Sequence, residues 1–229
     1  IIFSFYYRNL VGEEILAIPE AGGLNLHGSL LPAYRGRAPV NWVLVNGETE
    51  TGVTLHYMTR RPDAGDIVAQ KKVAITDDDT ALTLHKKTAA AAADMLDAIL
   101  PELNAGTAPR TRQNDSGASY FGRRSPEDGE IDWTLPASNV RNLVRAVTHP
   151  YPGAFSFVGE RKCFIWSMSE VKSEGPAMNP GTILSTDPLV VACGVGAVRV
   201  DFGQPEDGIH IAGSQLSSEL HLTVGMSFG

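Results

Sequence analysis

The sequence predicts an α/β domain with a mainly parallel sheet, followed by a small β-barrel. Three observations carry that reading. Residues 1–100 alternate between strand and helix signals. Residues 105–127 are rich in Gly, Pro, Ser, Thr and Arg without a sustained period, the composition of a linker. Beyond it, short β-rich runs recur between Gly, Pro and Asp. The expected domains are therefore 1–104 and 128–229.

Ile1–Tyr7 reads as a strand with no lead-in, which predicts that an N-terminal segment is missing ahead of it. Val11–Ile18 reads as a short helix with Glu13 and Glu14 early in it, and Leu24–His27 as the next strand after Gly22-Gly23. Ser29–Pro39 is a loop, Val40–Val45 a helix, and Gly52–Met58 and Val68–Ile75 are strands joined by a tight polar loop. Asp77-Asp78-Asp79-Thr80 precedes a long helix: Thr80 suits a cap, and carboxylates favour the positive end of a helix dipole. Pro101 is expected to end that helix. In the second domain, Val140, Leu143, Val144 and Val147 keep the spacing of one amphipathic helix. The remainder is expected as strands, at Ala154–Val158, Cys163–Met168, Gly181–Leu184, Leu189–Cys193 and Ala197–Phe202.

Composition narrows the function classes. Of 229 residues, 43% are hydrophobic and 20% charged, which excludes disordered, collagen-like and low-complexity chains. Nineteen basic against 26 acidic residues leave a net charge of −7, which disfavours a nucleic-acid partner. No run approaches the roughly 20 apolar residues of a membrane helix, so no membrane partner is expected. Cys163 and Cys193 form no CxxC pair or disulfide framework, which favours a reducing, cytoplasmic setting. The six histidines show no HxH or HExxH spacing and have no cysteine partner, so no metal is expected. No phosphate-loop string occurs.

Asn25, His27 and Asp63 are the candidate catalytic residues. Asn25 and His27 lie two apart on one strand, which turns both to the same face, at the C-terminal end where open α/β sheets place ligands. Asp63, between Pro62 and Gly65, can return to that edge and orient an imidazole. Asn before a loop also serves as a turn residue, and Asp-Ala-Gly-Asp is ordinary turn composition. Structural or surface roles are expected for the other histidines. Arg35-Gly36-Arg37 and Arg123-Arg124 are either anion sites or solvated loops.

The run Leu24-Asn25-Leu26-His27-Gly28-Ser29-Leu30-Leu31-Pro32-Ala33-Tyr34-Arg35-Gly36-Arg37-Ala38-Pro39 resembles the signature loop of the formyltetrahydrofolate-dependent formyltransferases. Thr51–His56 and Asp63-Ala64-Gly65-Asp66 follow in the order of that family, as do Phe121-Gly122-Arg123-Arg124 and His149–Phe155. Phe3-Ser4-Phe5-Tyr6-Tyr7-Arg8 and Asn41–Glu48 resemble its aminoarabinose branch more than methionyl-tRNA formyltransferase.

The resemblance implies a Rossmann-like catalytic domain lacking its first strands, then an OB-like barrel. It implies formyl transfer from 10-formyltetrahydrofolate, without metal, to the 4-amino group of UDP-4-amino-4-deoxy-β-L-arabinose, in lipid A modification and polymyxin resistance. Asn25 would then stabilise an oxyanion, His27 carry a proton and Asp63 favour charged His27. Folate contacts carried over from the family are Asn9, Leu10 and Val11 on the pteridine side, Arg37 in the loop, and Thr59, Arg60, Arg61, Pro62 and Asp63 in the closing loop. Leu10 and Val11 equally suit ordinary core. The branch further implies an oligomer fused to a dehydrogenase domain. Methionyl-tRNA formyltransferase, or a non-catalytic module that binds folate or packs on a partner, are the alternatives.

Overall fold

The computed structural model describes residues 1–5, 7, 9–171 and 178–229, which divide into two units. One comprises Ile1–Val43, Glu48–Asp79 and Thr83–Arg124; the other comprises Leu44–Gly47, Thr80–Leu82 and Ser125–Gly229. Tyr6 and Arg8, within one of the strings that resemble the aminoarabinose branch, lie outside the described residues.

In chain order the elements through residue 121 are β1 (Ile2–Phe5), α1 (Glu13–Leu16), β2 (Gly23–His27), β3 (Arg35–Gly36), α2 (Pro39–Val45), β4 (Glu50–Tyr57), β5 (Ile67–Ala74), α3 (Ala81–Ala105) and β6 (Tyr120–Phe121). Four strands form a sheet in the order β1-β2-β4-β5, and β3 pairs with β6 apart from it. Within the four-stranded sheet only β1 and β2 run parallel; β2 with β4 and β4 with β5 are antiparallel. The expectation of a mainly parallel sheet is corrected accordingly. Residues 58–66 join β4 to β5, and a loop that short cannot carry the crossover a parallel pair requires.

The ends of two helices also differ from expectation. α1 is a single turn rather than a helix from Val11 to Ile18, because Gly12 provides no side-chain cap and Pro19 follows closely. α3 passes through Pro101 and ends at Ala105. Its stop is Gly106, at φ 72°, where Thr107 N–H donates to the Glu102 carbonyl and Gly106 N–H to that of Leu103. That is the paired bonding of a left-handed glycine cap.

The segment read as a linker, 105–127, groups with the first unit as far as Arg124. Thr111 and Ile67 exchange two backbone hydrogen bonds of 2.7 and 2.9 Å. Tyr120 and Phe121 pair in parallel with Arg35 and Gly36.

The second unit contains α4 (Ala137–Val147), β7 (Ala154–Val158), β8 (Arg161–Val171), β9 (Ile183–Thr186), β10 (Leu189–Ala192), β11 (Ala197–Pro205), β12 (Ile211–Ala212) and α5 (Gly213–Glu219). Its antiparallel sheet runs β7-β8-β11-β10-β9, with β12 on β11. Among the described residues the end strands β7 and β9 do not pair, so the expected barrel is open, as OB-type sheets partly are. α4 buries Val140, Val144 and Val147 of the stripe legible in the sequence. α5 lies where only strands and loops were expected. Its serines favour turns, yet Ser217 turns its hydroxyl back to the Gly213 carbonyl, and Leu216 and Leu220 are buried one turn apart. Both cysteines are buried in this unit. Burial raises the Cys163 thiol to about 12 and the Cys193 thiol to about 11.

The start of α3 is fixed by Asp79, which is 3% exposed. It accepts from Thr76 N–H at 2.8 Å, from the Thr83 hydroxyl at 2.8 Å and from the Lys87 ammonium. Burial opposes its ionisation, but these donors prevail and hold its carboxyl at about 2. The depressed folded value means that the stabilisation is complete above the ordinary 3.8 and lost as pH falls through about 2. Asp79→Asn should cost about 2 kcal/mol at neutral pH and flatten the acid limb of stability. Urea titrations at stepped pH measure both.

Candidate active site

The antiparallel register sets Asn25 on β2 opposite His56 on β4, and His27 opposite Thr54. Thr54 and His56 are buried in the middle of the sheet, so their polar groups require partners. The Thr54 hydroxyl donates to the Ser29 carbonyl at 2.7 Å and accepts from Leu31 N–H at 3.1 Å. Gln70 adds a bond of 2.8 Å to the Leu31 carbonyl. β4 and β5 thereby hold the loop that leaves β2.

His56 Nδ1 lies 2.9 Å from the Tyr57 carbonyl, which can only accept, so the ring proton sits on Nδ1. Nε2 then presents a lone pair and accepts from Asn25 Nδ2 at 3.2 Å. One amide hydrogen of Asn25 is thereby committed, and the side chain has a fixed orientation.

His27 is 6% exposed. Its Nε2 lies 2.7 Å from the Tyr34 carbonyl and donates to it, which leaves Nδ1 as the nitrogen that gains and loses a proton. Asp63 Oδ1 stands 3.6 Å from that nitrogen and 3.5 Å from His56 Nε2. The first distance is an ion-pair approach, too long for a hydrogen bond. Asp63 Oδ2 accepts from Gly36 N–H at 2.9 Å. Asn25, His27 and Asp63, singled out from the sequence, thus converge on one another.

Burial lowers the His27 pKa. The Asp63 carboxylate and the Tyr34 carbonyl raise it against that, and His56 adds to the lowering only when its own ring is protonated. The expectation that Asp63 favours charged His27 therefore holds as a contribution, while the balance runs the other way because desolvation is larger. Asp63 itself lies below the usual carboxylate range: burial pushes it up, and His56 in its protonated form, His27 and Gly36 N–H outweigh that.

The loop that carries Asp63 is bent to reach this edge. Asp63 has φ 53°, a left-handed conformation that is costly for a residue with a side chain. At Gly65 any Cβ would collide with the Tyr57 carbonyl, so the close approach of loop to strand requires glycine.

The other candidates lie further out. Thr59, Arg60, Arg61, Pro62 and Arg37 are exposed. Asn9 is also exposed, Val11 half-buried and Leu10 73% exposed, which removes ordinary core as a reading of Leu10. Arg60 approaches Glu13 at 4.0 Å and Arg61 approaches Asp115 at 3.4 Å, surface pairs of small worth. Of the two arginines read as an anion site, Arg35 is fully buried and bonded within the protein. His56 was not among the residues the sequence marked for chemistry. Its signal was position on a buried strand next to the strand of Asn25, which register alone converts into contact. Among the described residues no group of three or more His, Cys, Asp or Glu has the arrangement of a metal site, and no helix is long and apolar enough to cross a membrane.

The arrangement is a neutral amide donor beside a buried imidazole and carboxylate, groups able to stabilise an oxyanion and move a proton in acyl-group transfer to an amine. Residues 1–100 match the formyl transferase family, and residues 123–220 match the formyl transferase C-terminal domain. The chain belongs to the formyltransferase family of enzymes.

Among solved structures, HypX from Aquifex aeolicus in complex with tetrahydrofolic acid is 18% identical with a TM-score of 0.70, over 97% of this chain and 39% of HypX. The chain thus spans well under half of that protein. An N-formyltransferase from Helicobacter canadensis, in complex with folinic acid and dTDP-3-aminofucose, is 21% identical with a TM-score of 0.71, over 86% of this chain and 72% of the other. PseJ from Anoxybacillus kamchatkensis, in complex with UDP-4,6-dideoxy-4-formamido-L-AltNAc and tetrahydrofolate, is 27% identical with a TM-score of 0.50, over 55% of this chain and 66% of PseJ.

The pairing of His27 with Asp63 can be read directly. Asp63→Asn keeps the side-chain shape but removes the charge that raises the His27 pKa, so that pKa should fall further below its ordinary value. An NMR titration of the His27 ring in both proteins checks it; equal values would refute the pairing.

Proposed function

We propose that the chain transfers a formyl group from 10-formyltetrahydrofolate to the 4-amino group of UDP-4-amino-4-deoxy-β-L-arabinose. The observation that carries the reaction is the convergence of Asn25, His27 and Asp63 at one sheet edge, in a chain of this family. Family membership supports the folate donor. The UDP-linked 4-formamido sugar in the PseJ structure supports a UDP-4-amino sugar as acceptor. The net charge of −7 favours a sugar nucleotide over tRNA.

The donor set fits a formyl carbonyl attacked by an amine. As the amine nitrogen bonds to the formyl carbon, negative charge collects on the carbonyl oxygen. Asn25, held by His56, directs its second amide hydrogen to that oxygen. His27 Nδ1 takes the surplus proton from the amine and returns it to the departing folate nitrogen. Asp63 stabilises the transient imidazolium from 3.6 Å. The products are the N-formyl sugar nucleotide and tetrahydrofolate.

Asn9, Leu10, Val11, Arg37 and the loop Thr59–Asp63 are proposed as the folate contacts, a role compatible with the exposure of Asn9, Leu10, Arg37 and Thr59, Arg60, Arg61 and Pro62. Residues 1–104 are proposed as the catalytic domain and 128–229 as its companion. The same reading assigns the reaction to the cytoplasm, to lipid A modification and polymyxin resistance, and to an oligomer joined to a dehydrogenase domain.

Asn25→Ala should lower kcat by roughly 10²–10³ with folate binding little changed. Near-normal turnover would remove Asn25 from the mechanism. With 10-formyltetrahydrofolate as donor, the protein should formylate the UDP-aminoarabinose and leave methionyl-tRNA unmodified. Comparable rates on methionyl-tRNA would overturn the acceptor assignment, and no transfer to either would favour a non-catalytic folate-binding or packing role.

A further inference from the structure

Arg35 has no exposed surface, and a guanidinium removed from water requires partners for its donors. Its Nε and one terminal nitrogen both donate to Gln113 Oε1, at 3.1 and 2.6 Å. The same terminal nitrogen reaches Asp115 at 2.9 Å, and the other reaches the Tyr120 hydroxyl at 2.9 Å.

Gln113, 7% exposed, is thereby given a single orientation. Its oxygen is taken up by the two guanidinium donors, so its amide nitrogen must face the opposite way. There it donates to the Asp63 carbonyl at 2.9 Å and to the Gly65 carbonyl at 2.7 Å. Both amide hydrogens and the oxygen are satisfied. A flipped amide would set an oxygen against two carbonyls and a nitrogen against the guanidinium, which the low dielectric of a buried site makes costly.

The two carbonyls bracket the turn in which Asp63 adopts its left-handed φ of 53° and Gly65 presses on β4. A conformation of that kind persists only where its surroundings over-determine it. The Asp63 side chain has its own restraint in Gly36 N–H, on the residue next to Arg35. Backbone and carboxylate of Asp63 are therefore both tied to the Arg35–Gly36 strand, directly on one side and through Gln113 on the other.

We infer that Gln113 is a positioning residue: oriented by Arg35, it clamps the carbonyls of Asp63 and Gly65 and fixes the aim of the Asp63 carboxylate at His27. The inference rests on the proposed reaction for its catalytic consequence, and on geometry alone for the clamp.

The test is a titration of the His27 ring by NMR in the full chain, with kcat measured alongside. The groups that face this ring are the Asp63 carboxylate, the His56 ring and the Tyr34 carbonyl. Gln113→Met keeps the volume but removes the clamp, and should lower the His27 pKa in the same direction as Asp63→Asn. It should also lower kcat by no more than Asp63→Asn does. Combined with Asp63→Asn, it should add no further shift, because the two residues act along one line. Gln113→Asn keeps the amide but is one methylene short of the span; it should behave likewise and decides the question if Gln113→Met does not fold. An unchanged His27 pKa in either folded variant, or shifts that add in the double variant, would overturn the inference. A wild-type protein that formylates no amino sugar would sink the proposed reaction, while the titration would still decide the clamp.

Discussion

The site depends on the register between β2 and β4. Side chains alternate across a strand, so pairing Asn25 with His56 decides which groups share a face. A slip of one residue would turn Asn25 and His27 to the other side together and leave His56 buried without its partner. The register is held by more than its ladder. Thr54, next but one to His56, bonds to both Ser29 and Leu31 and so anchors the loop that continues β2. The strand that carries His56 thus also secures the chain that carries Tyr34 and Arg35. A single pairing positions Asn25, His27 and the start of the buried arginine network.

Charge burial sets the second constraint. His27 and Asp63 are removed from water together, and each answers part of the other's desolvation. Neither contact is an ideal hydrogen bond, since Asp63 divides its oxygens between two rings and a backbone amide. That division suits the proton transfer proposed for His27. An imidazole held tightly charged would not release its proton, and one left alone in an apolar site would not accept it. The outcome is a His27 biased to the neutral form, with a carboxylate near enough to receive charge on Nδ1.

Much of this was legible in the chain itself. Asn25 and His27 stand two apart before a loop, and that spacing alone gives one face and one edge. Asp63 was marked by Pro62 and Gly65, and the structure shows why Gly65 is needed. Other features depend on contacts distant in sequence and leave no local trace. His56 reads as one more residue of a buried strand until register is known. Gln113 lies in a polar stretch with no period, yet it is buried and satisfies all its hydrogen-bonding groups. Its place follows from the unmet needs of a guanidinium far back in the sequence. α3 shows a different kind of miss. Two punctuating residues competed, and Pro101 near the end of a helix proved a weaker stop than Gly106.

The two cysteines give the molecule a property unrelated to its chemistry. Both thiols lie in the second unit, and burial raises them to about 12 and about 11. The thiolate is the reactive form, so an alkylating reagent finds almost nothing to attack while that unit is closed. Opening it restores ordinary acidity and access at once. The rate of thiol labelling is therefore a gauge of how often the second unit breathes, one to which the unit that carries Asn25 and His27 adds no background of its own.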